Sequence, residues 1–285
     1  MRPKIGLVLG GGGSRGIAHI GVLEVLAHEH IPIDLIVGTS MGGLIGALFA
    51  SEVDLLEMAR HVERLRNISS LFSTHLFSSR ARQRTMRKWI AHFLGENKTF
   101  EELKIPLIVT AVDMLHGHEV YLRSGPLLPA LLATSAMPAV FPPVDHEEMK
   151  LADGGVIDSL CVHVARQEQM DKIIAVDIYP PLEHENPWVD PLGAIMGMGV
   201  PFFNTGNMDR PPSMMAAIWR SVRIMTWHLH EARLQANPPD VLLRPHVENY
   251  GSLDFKDVEG PLLAGIEEAT RCLDVIKELV VETPN

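Results

Sequence analysis

The chain has 285 residues, 46% of them hydrophobic and 21% charged, which is the composition of a folded globular protein with a buried core. Its formal net charge of −10 argues against nucleic-acid binding, because phosphate contacts need clustered basic residues. The two cysteines are too few for a disulfide framework, the first apolar stretch is too short for a signal peptide, and no apolar run could span a bilayer. We expect a cytoplasmic protein, with peripheral contact at the inner membrane face left open.

Short apolar runs alternate with helical periodicity along most of the chain. Residues 5–9 and 33–37 are predicted as buried strands, and each precedes a glycine-containing loop and a helix. Further strands are predicted at 105–112, 119–122, 149–152, 173–178 and 241–243, and further helices at 54–66, 79–94, 127–134, 213–234 and 258–281. This alternation favours a mainly parallel sheet covered by helices on both faces.

One segment interrupts the pattern. Residues 180–212 are rich in proline, glycine, methionine and phenylalanine and lack either periodicity. We find no internal repeat. The sequence therefore predicts a single α/β domain with an insertion or lid in this region, rather than two domains.

The first strand-to-helix loop contains the pattern G-x-G-x-x-G, formed by Gly11, Gly13 and Gly16. A dinucleotide-binding fold also needs an acidic residue at the carboxyl end of the second strand, and the nearby Asp34 lies at its start. Glycine loops also direct backbone N–H groups into one space at a helix N-terminus. We favour a loop that holds an oxyanion or a phosphate over dinucleotide binding.

The second loop carries the pentapeptide G-x-S-x-G at residues 38–42, between a buried strand and a helix. This context is typical of a nucleophile elbow, in which a sharp turn projects the serine above the sheet. If the first two strands are parallel neighbours, both loops lie at one sheet edge. Ser40 would then face the backbone donors of the glycine loop, an arrangement suited to acyl transfer.

Two bases for Ser40 stay open on this reasoning. Asp177 and His246 follow the required order for a Ser-Asp-His triad, but the elbow of an α/β-hydrolase usually comes after more strands than two. Asp153, in the sequence Asp-Gly-Gly, could act as a base without histidine if partial burial raised its pKa.

The chain resembles the patatin-like phospholipases, in particular short bacterial members related to the neuropathy target esterase catalytic domain. The matching stretches are residues 10–16, 38–42, 133–143, 153–155 and 240–245, in family order. The resemblance covers about residues 4–178 and 238–280. It implies a three-layer α/β/α fold with a mainly parallel central sheet, within one domain over residues 1–285 and with a lid-like insertion at about 180–234. The chain departs from the family pattern near residues 158–161.

The resemblance also implies the chemistry. Ser40 would be the nucleophile and Asp153 the base of a Ser-Asp dyad, with fatty-acyl esters of lipids as substrates and with no metal or cofactor. The implied supporting residues are the oxyanion hole of Gly11, Gly12, Gly13, Ser14 and Arg15, the elbow glycines Gly38 and Gly42, and the base-turn glycines Gly154 and Gly155. The alternatives are the triad with Asp177 and His246, and a catalytically silent lipid-binding or regulatory module.

Two weaker features carry secondary expectations. The basic cluster at residues 80–88 could meet anionic lipid head groups, although a solvated helix face is the simpler interpretation. Three His-x-His pairs lack the spacing of a metal site, so we predict no metal.

Overall fold

Eight strands form one mixed sheet in the computed structural model, which describes residues 2–64, 79–182, 214–253 and 255–281. The strands are β1 (Ile5–Leu9), β2 (Leu35–Thr39), β3 (Leu107–Asp113), β4 (His118–Leu122), β5 (Val144–His146), β6 (Met149–Asp153), β7 (Lys172–Val176) and β8 (Val241–Leu243). Their order is β5-β6-β3-β2-β1-β7-β8, with β4 also paired to β3. The strands from β3 to β8 in this order are parallel, whereas β4, β5 and β6 pair antiparallel.

Helices cover both faces of this sheet. They are α1 (Ala18–His28), α2 (Met41–Ala50), α3 (Leu55–Arg64), α4 (Ser79–Leu94), α5 (Leu127–Thr134), α6 (Val162–Gln167), α7 (Met214–Ala236), α8 (Glu259–Arg271) and α9 (Leu273–Val280). Side chains alternate between the two faces along each strand. In β1, Leu7 joins the core under α1, α2, α5 and α8, while Val8 joins the core under α6. The predicted three-layer α/β/α fold with a mainly parallel sheet is therefore confirmed.

Several element boundaries differ from the sequence prediction. The helix predicted at 258–281 is interrupted at Cys272, which separates α8 from α9. Strand β5 and the short helix α6 were not predicted, because three and six residues are too few to show a periodicity. The predicted insertion at 180–212 lies outside the described residues except for 180–182, and the second half of the predicted 180–234 segment is the helix α7.

The described helices contain no span with both the length and the apolar character needed to cross a membrane.

Candidate active site

Ser40 lies in a sharp turn between β2 and α2. Its backbone has φ 54° and ψ −121°, a left-handed conformation that is costly for a residue with a side chain. The Ser40 N–H donates to Oγ1 of Thr134 at 2.9 Å, which ties the turn to the end of α5. The residue is 7% exposed. The structure thus has the strand–turn–helix geometry predicted for a nucleophile elbow.

The glycines on either side of Ser40 are required by close backbone contacts. A Cβ on Gly42 would lie 2.1 Å from the carbonyl oxygen of Leu9, and a Cβ on Gly38 would lie 2.6 Å from Cα of Gly43. Both contacts are with backbone atoms, which cannot move away as a flexible side chain could. The G-x-S-x-G pattern therefore reflects how tightly α2 packs against the ends of β1 and β2.

Asp153 reaches Ser40 because two strands share one edge of β3. Strand β2 pairs with β3 up to Thr39 opposite Thr110, and β6 pairs with β3 from Asp153 opposite Ala111. Strand β4 pairs along residues 109–113 of β3 and so occupies the opposite edge. The chain therefore leaves the edge at Ser40 where Asp153 enters it, and the Ser40 side chain comes near enough to the Asp153 carboxyl to influence its pKa.

The surroundings of Asp153 raise the pKa of its carboxyl group to about 6. Burial is the main cause, because it penalises the charged form of a side chain in a residue only 5% exposed. The nearby Ser40 hydroxyl and a hydrogen bond from the Gly155 N–H, at 2.8 Å, act in the opposite direction. Gly154 allows this turn, since a Cβ there would lie 2.3 Å from Oγ1 of Thr110. A carboxylate with this pKa is a stronger base than an ordinary aspartate.

The glycine loop passes directly beside Ser40. A Cβ on Gly11 would lie 3.3 Å from Cβ of Ser40. The Gly11 N–H donates to the carbonyl of Ser159 and the Ser14 N–H to the carbonyl of Ser252. Among the described residues, the N–H groups of Gly12 and Gly13 have no acceptor. Of the five residues predicted to form an oxyanion hole, Gly11 and Ser14 therefore have N–H groups that are already engaged, and the oxyanion hole itself stays a prediction.

Two side chains fix the direction of the remaining donors. The Ser159 hydroxyl donates to the carbonyl of Gly11 at 2.9 Å, and Nε of Arg15 donates to the carbonyl of Gly12 at 3.2 Å. In a trans peptide the carbonyl and the next N–H point in opposite directions. These bonds therefore orient the N–H groups of Gly12 and Gly13. Arg15 contributes through its side chain, which holds the peptide between these two glycines.

A cavity of about 440 Å³ opens over these groups, within the usual range for a small-molecule site. Its lining includes Ser40, Asp153, Gly11, Gly12 and Arg15, which are called the sheet side here, and residues of α7, which are called the helix side. Tyr179, Pro180 and residues 248–252 also line the cavity.

The residues of the alternative triad are not brought together. The carboxylate of Asp177 bonds to Nε2 of His230 at 3.2 Å and to Nε of Arg244 at 3.0 Å. The side chain of His246 is 90% exposed, and its nearest acidic group is Glu248 at 3.8 Å. A Ser40–His246–Asp177 triad is therefore wrong for this structure.

Two clusters elsewhere carry side chains of metal-ligating type, namely Asp113 with His116 and His118, and Glu119 with Asp158 and His163. The second cluster already contains a cation, because Nη1 of Arg233 lies 2.6 Å from Glu119 and 3.1 Å from Asp158. Neither cluster includes a residue of the Ser40 cavity. The expectation of no metal stays a prediction.

Two further sequence features have structural partners. Asp34 accepts hydrogen bonds from the Arg2 guanidinium and from the Ile5 N–H, at the amino end of β2 and away from the site. Within the basic cluster at 80–88, the Arg82 guanidinium donates to the carbonyl of Val140. Arg82 therefore holds a loop next to the cavity, while lipid contact by the cluster stays a prediction.

Sequence reasoning missed three residues that position the site. Thr134 accepts a hydrogen bond from the Ser40 N–H, Ser159 donates to the Gly11 carbonyl, and the Ser252 carbonyl accepts from the Ser14 N–H. Thr134 lies within one of the stretches that carry the family resemblance, but nothing in its local pattern indicates a partner 94 positions away. No sequence motif or periodicity pointed to Ser252.

Residues 7–166 match the model of the patatin-like phospholipase family, which is more than half of the chain. The match includes Ser40, Asp153 and the glycine loop. The chain belongs to the patatin-like phospholipase family.

The similar curated proteins are much longer than this chain. A lysophospholipase of Aspergillus niger is 30% identical over 264 residues, which are 88% of this chain and 17% of that protein. A lysophospholipase of Coccidioides immitis is 27% identical over 282 residues, which are 96% of this chain and 18% of that protein. The chain thus spans less than a fifth of these relatives.

Among solved structures, VipD from Legionella pneumophila has a similar fold, with a TM-score of 0.52 and 12% sequence identity. The similarity covers 96% of this chain and 67% of VipD. At this identity it supports the assignment of the fold alone.

Proposed function

We propose that this chain is a serine acyl hydrolase that cleaves fatty-acyl esters of lipids, of the phospholipase A or lysophospholipase type, through a dyad of Ser40 and Asp153. The observation that carries the proposal is the buried Asp153 carboxyl, which lines the same cavity as Ser40 and has a pKa raised to about 6. Membership of the family and the lysophospholipase relatives support the substrate class.

In the first half of the reaction, Asp153 accepts the proton of the Ser40 hydroxyl as Oγ attacks the ester carbonyl. The negative charge on the carbonyl oxygen is stabilised by the Gly12 and Gly13 N–H groups and by the N-terminus of α2, which begins at Met41. Asp153 then returns the proton to the departing alcohol, and the acyl group stays on Ser40.

In the second half, Asp153 accepts a proton from water as the water oxygen attacks the acyl-enzyme. The tetrahedral intermediate collapses, the fatty acid leaves, and Ser40 recovers its proton.

The proposal is tested with a fluorophosphonate probe, followed by mass mapping of the labelled peptide. We expect labelling at Ser40, none in Ser40→Ala, and a rate at least about 10²-fold lower in Asp153→Asn. His246→Ala is the matched control for the triad and should label at the wild-type rate. Labelling of Asp153→Asn at the wild-type rate would refute the dyad, and absence of labelling at Ser40 would favour a silent lipid-binding module.

The same assay gives a pH dependence. Asp153 accepts a proton only when it is ionised, so the labelling rate should rise with pH through about 6 and level off above it. A midpoint near pH 4, the usual pKa of an exposed aspartate, would contradict the inference that burial raises the pKa of Asp153.

A further inference from the structure

The helix α7 exposes a continuous apolar stripe. Its members follow one another at spacings of three and four residues, which places them on one face of the helix. Each is between 38% and 61% exposed, and together they are defined here as the outer stripe: Met215, Ile218, Val222, Met225 and Leu229. Exposure of so many large apolar side chains on one face is costly in water and indicates an interaction surface.

Polar side chains attach the same helix to the rest of the protein. Oγ1 of Thr226 accepts from the Tyr179 hydroxyl at 2.8 Å, Nε2 of His230 meets Asp177, and Arg233 bridges two carboxylates. Only Ala216 and His230 of this helix are buried. A surface helix of a globular protein usually turns most of its large apolar side chains to the core, and α7 departs from this arrangement along the outer stripe.

The amino-acid composition of α7 indicates what kind of partner the outer stripe would contact. The chain has ten more acidic than basic residues, yet residues 214–230 contain two arginines and no aspartate or glutamate. They also contain Trp219 and Trp227. Arginine and tryptophan beside an apolar face are typical of helices that lie in the interface of an anionic membrane.

The outer stripe is continuous with the Ser40 cavity. Val222 belongs to the stripe and also lines the cavity, together with Trp219, Arg223 and Thr226. A lipid that left a bilayer along this face would therefore reach Ser40 without crossing open water.

We propose that the outer stripe of α7 docks this protein on the surface of an anionic lipid bilayer. The binding itself is independent of catalysis, and only its use in delivering substrate rests on the proposed function.

The test uses the full chain with Ser40→Ala, so that binding is measured without turnover. Flotation with vesicles of phosphatidylcholine and phosphatidylserine is compared for this protein and for a double variant, Met225→Ser with Leu229→Ser. Neither residue lines the cavity. We expect the double variant to bind at least about tenfold more weakly, and binding of the parent to fall when phosphatidylserine is omitted.

The matched control is Leu263→Ser with Val275→Ser, on α8 and α9. These side chains are 46% and 52% exposed, against 61% and 39% for Met225 and Leu229. The control should bind as the parent does. Equal weakening of both double variants, or absence of vesicle binding by the parent, would overturn the proposal. So would a parent dimer that dissociates in the Met225/Leu229 variant and does not bind vesicles, because a second copy would then cover the stripe.

Probe labelling of the Met225/Leu229 variant with Ser40 restored separates the two proposals. Labelling at the wild-type rate in the absence of lipid, combined with lost flotation, shows a folded protein that lacks its docking surface. Vesicle binding without any labelling of Ser40 would leave the docking surface intact and refute the proposed chemistry.

Discussion

The two sides of the Ser40 cavity are held by different kinds of contact. The sheet side, made of the glycine loop, the elbow and the Asp153 turn, is packed closely, and at the elbow backbone atoms leave no room for a Cβ. The helix side, made of α7, is tied to the sheet by side-chain bonds from Thr226, His230 and Arg233. Reacting groups need positions fixed to a fraction of an ångström, whereas a surface that admits a lipid can tolerate adjustment.

The first prediction concerns a substitution at Gly42 that disrupts the packing of the sheet side. In Gly42→Val the new Cβ would meet the Leu9 carbonyl, 2.1 Å away, and neither backbone could retreat without separating α2 from β1. We expect loss of cooperative unfolding and of Ser40 labelling, measured by urea denaturation and by the fluorophosphonate assay.

Gly95→Ala is the control for this variant. Gly95 has φ +82°, and no atom lies within 4 Å of the Cβ that alanine would add. Gly95→Ala should therefore lower the free energy of unfolding by only about 1–2 kcal/mol, through backbone strain. A Gly42→Val protein as stable as Gly95→Ala would show that the sheet side is more adaptable than its contacts indicate.

The second prediction concerns the cost of the buried carboxylate. The native pKa of Asp153 is about 6 and lies above the ordinary value of 3.8, so the native state holds the proton more tightly than the unfolded state. Stability therefore falls as the pH rises from about 4 to about 6, by about 3 kcal/mol. We expect Asp153→Asn to be more stable than wild type by up to this amount at pH 8, with the gain vanishing near pH 4, in urea titrations at both pH values.

Asp177→Asn should behave in the opposite way. Burial alone would raise the pKa of Asp177, but its bonds to His230 and Tyr179 and the charge of Arg244 lower it overall. The substitution should therefore destabilise the protein at pH 8. If both variants were destabilised equally, burial would not be the dominant influence on Asp153.

The third and smallest prediction loosens the helix side. Arg233→Met removes the guanidinium that lies between Glu119 and the buried Asp158. Loss of a partner from a buried ion pair costs about 3–5 kcal/mol, and the partial exposure of Arg233 reduces the expected loss to about 2 kcal/mol. Urea denaturation should show this loss, while the labelling rate of Ser40 stays within about threefold of wild type.

Arg233→Lys retains a positive charge and should recover part of the lost stability. The Arg233→Met protein would contradict this expectation if it were labelled as slowly as Asp153→Asn. Loosening α7 would then also displace Ser40 and Asp153 on the sheet side.

What the sequence could predict depended on how far apart the partners lie. The elbow around Ser40 and the turn after Asp153 are local patterns, so both were visible as short motifs between predicted elements. The entry of β6 onto the edge of β3 that β2 leaves is a long-range pairing, and only this pairing identifies Asp153 over Asp177 by geometry. The hydrogen bonds from the Gly11 and Ser14 N–H groups to Ser159 and Ser252 also join residues far apart in the chain, so local sequence patterns could not predict them.

The shared edge of β3 also bears on how the protein folds. More than a hundred residues separate Ser40 from Asp153, and the two side chains meet only after both β2 and β6 have paired with β3. Contacts between distant residues form slowly, so we expect the nucleophile to become reactive at the end of refolding, after most of the helical signal has returned. The onset of Ser40 labelling would then mark the last stage of assembly.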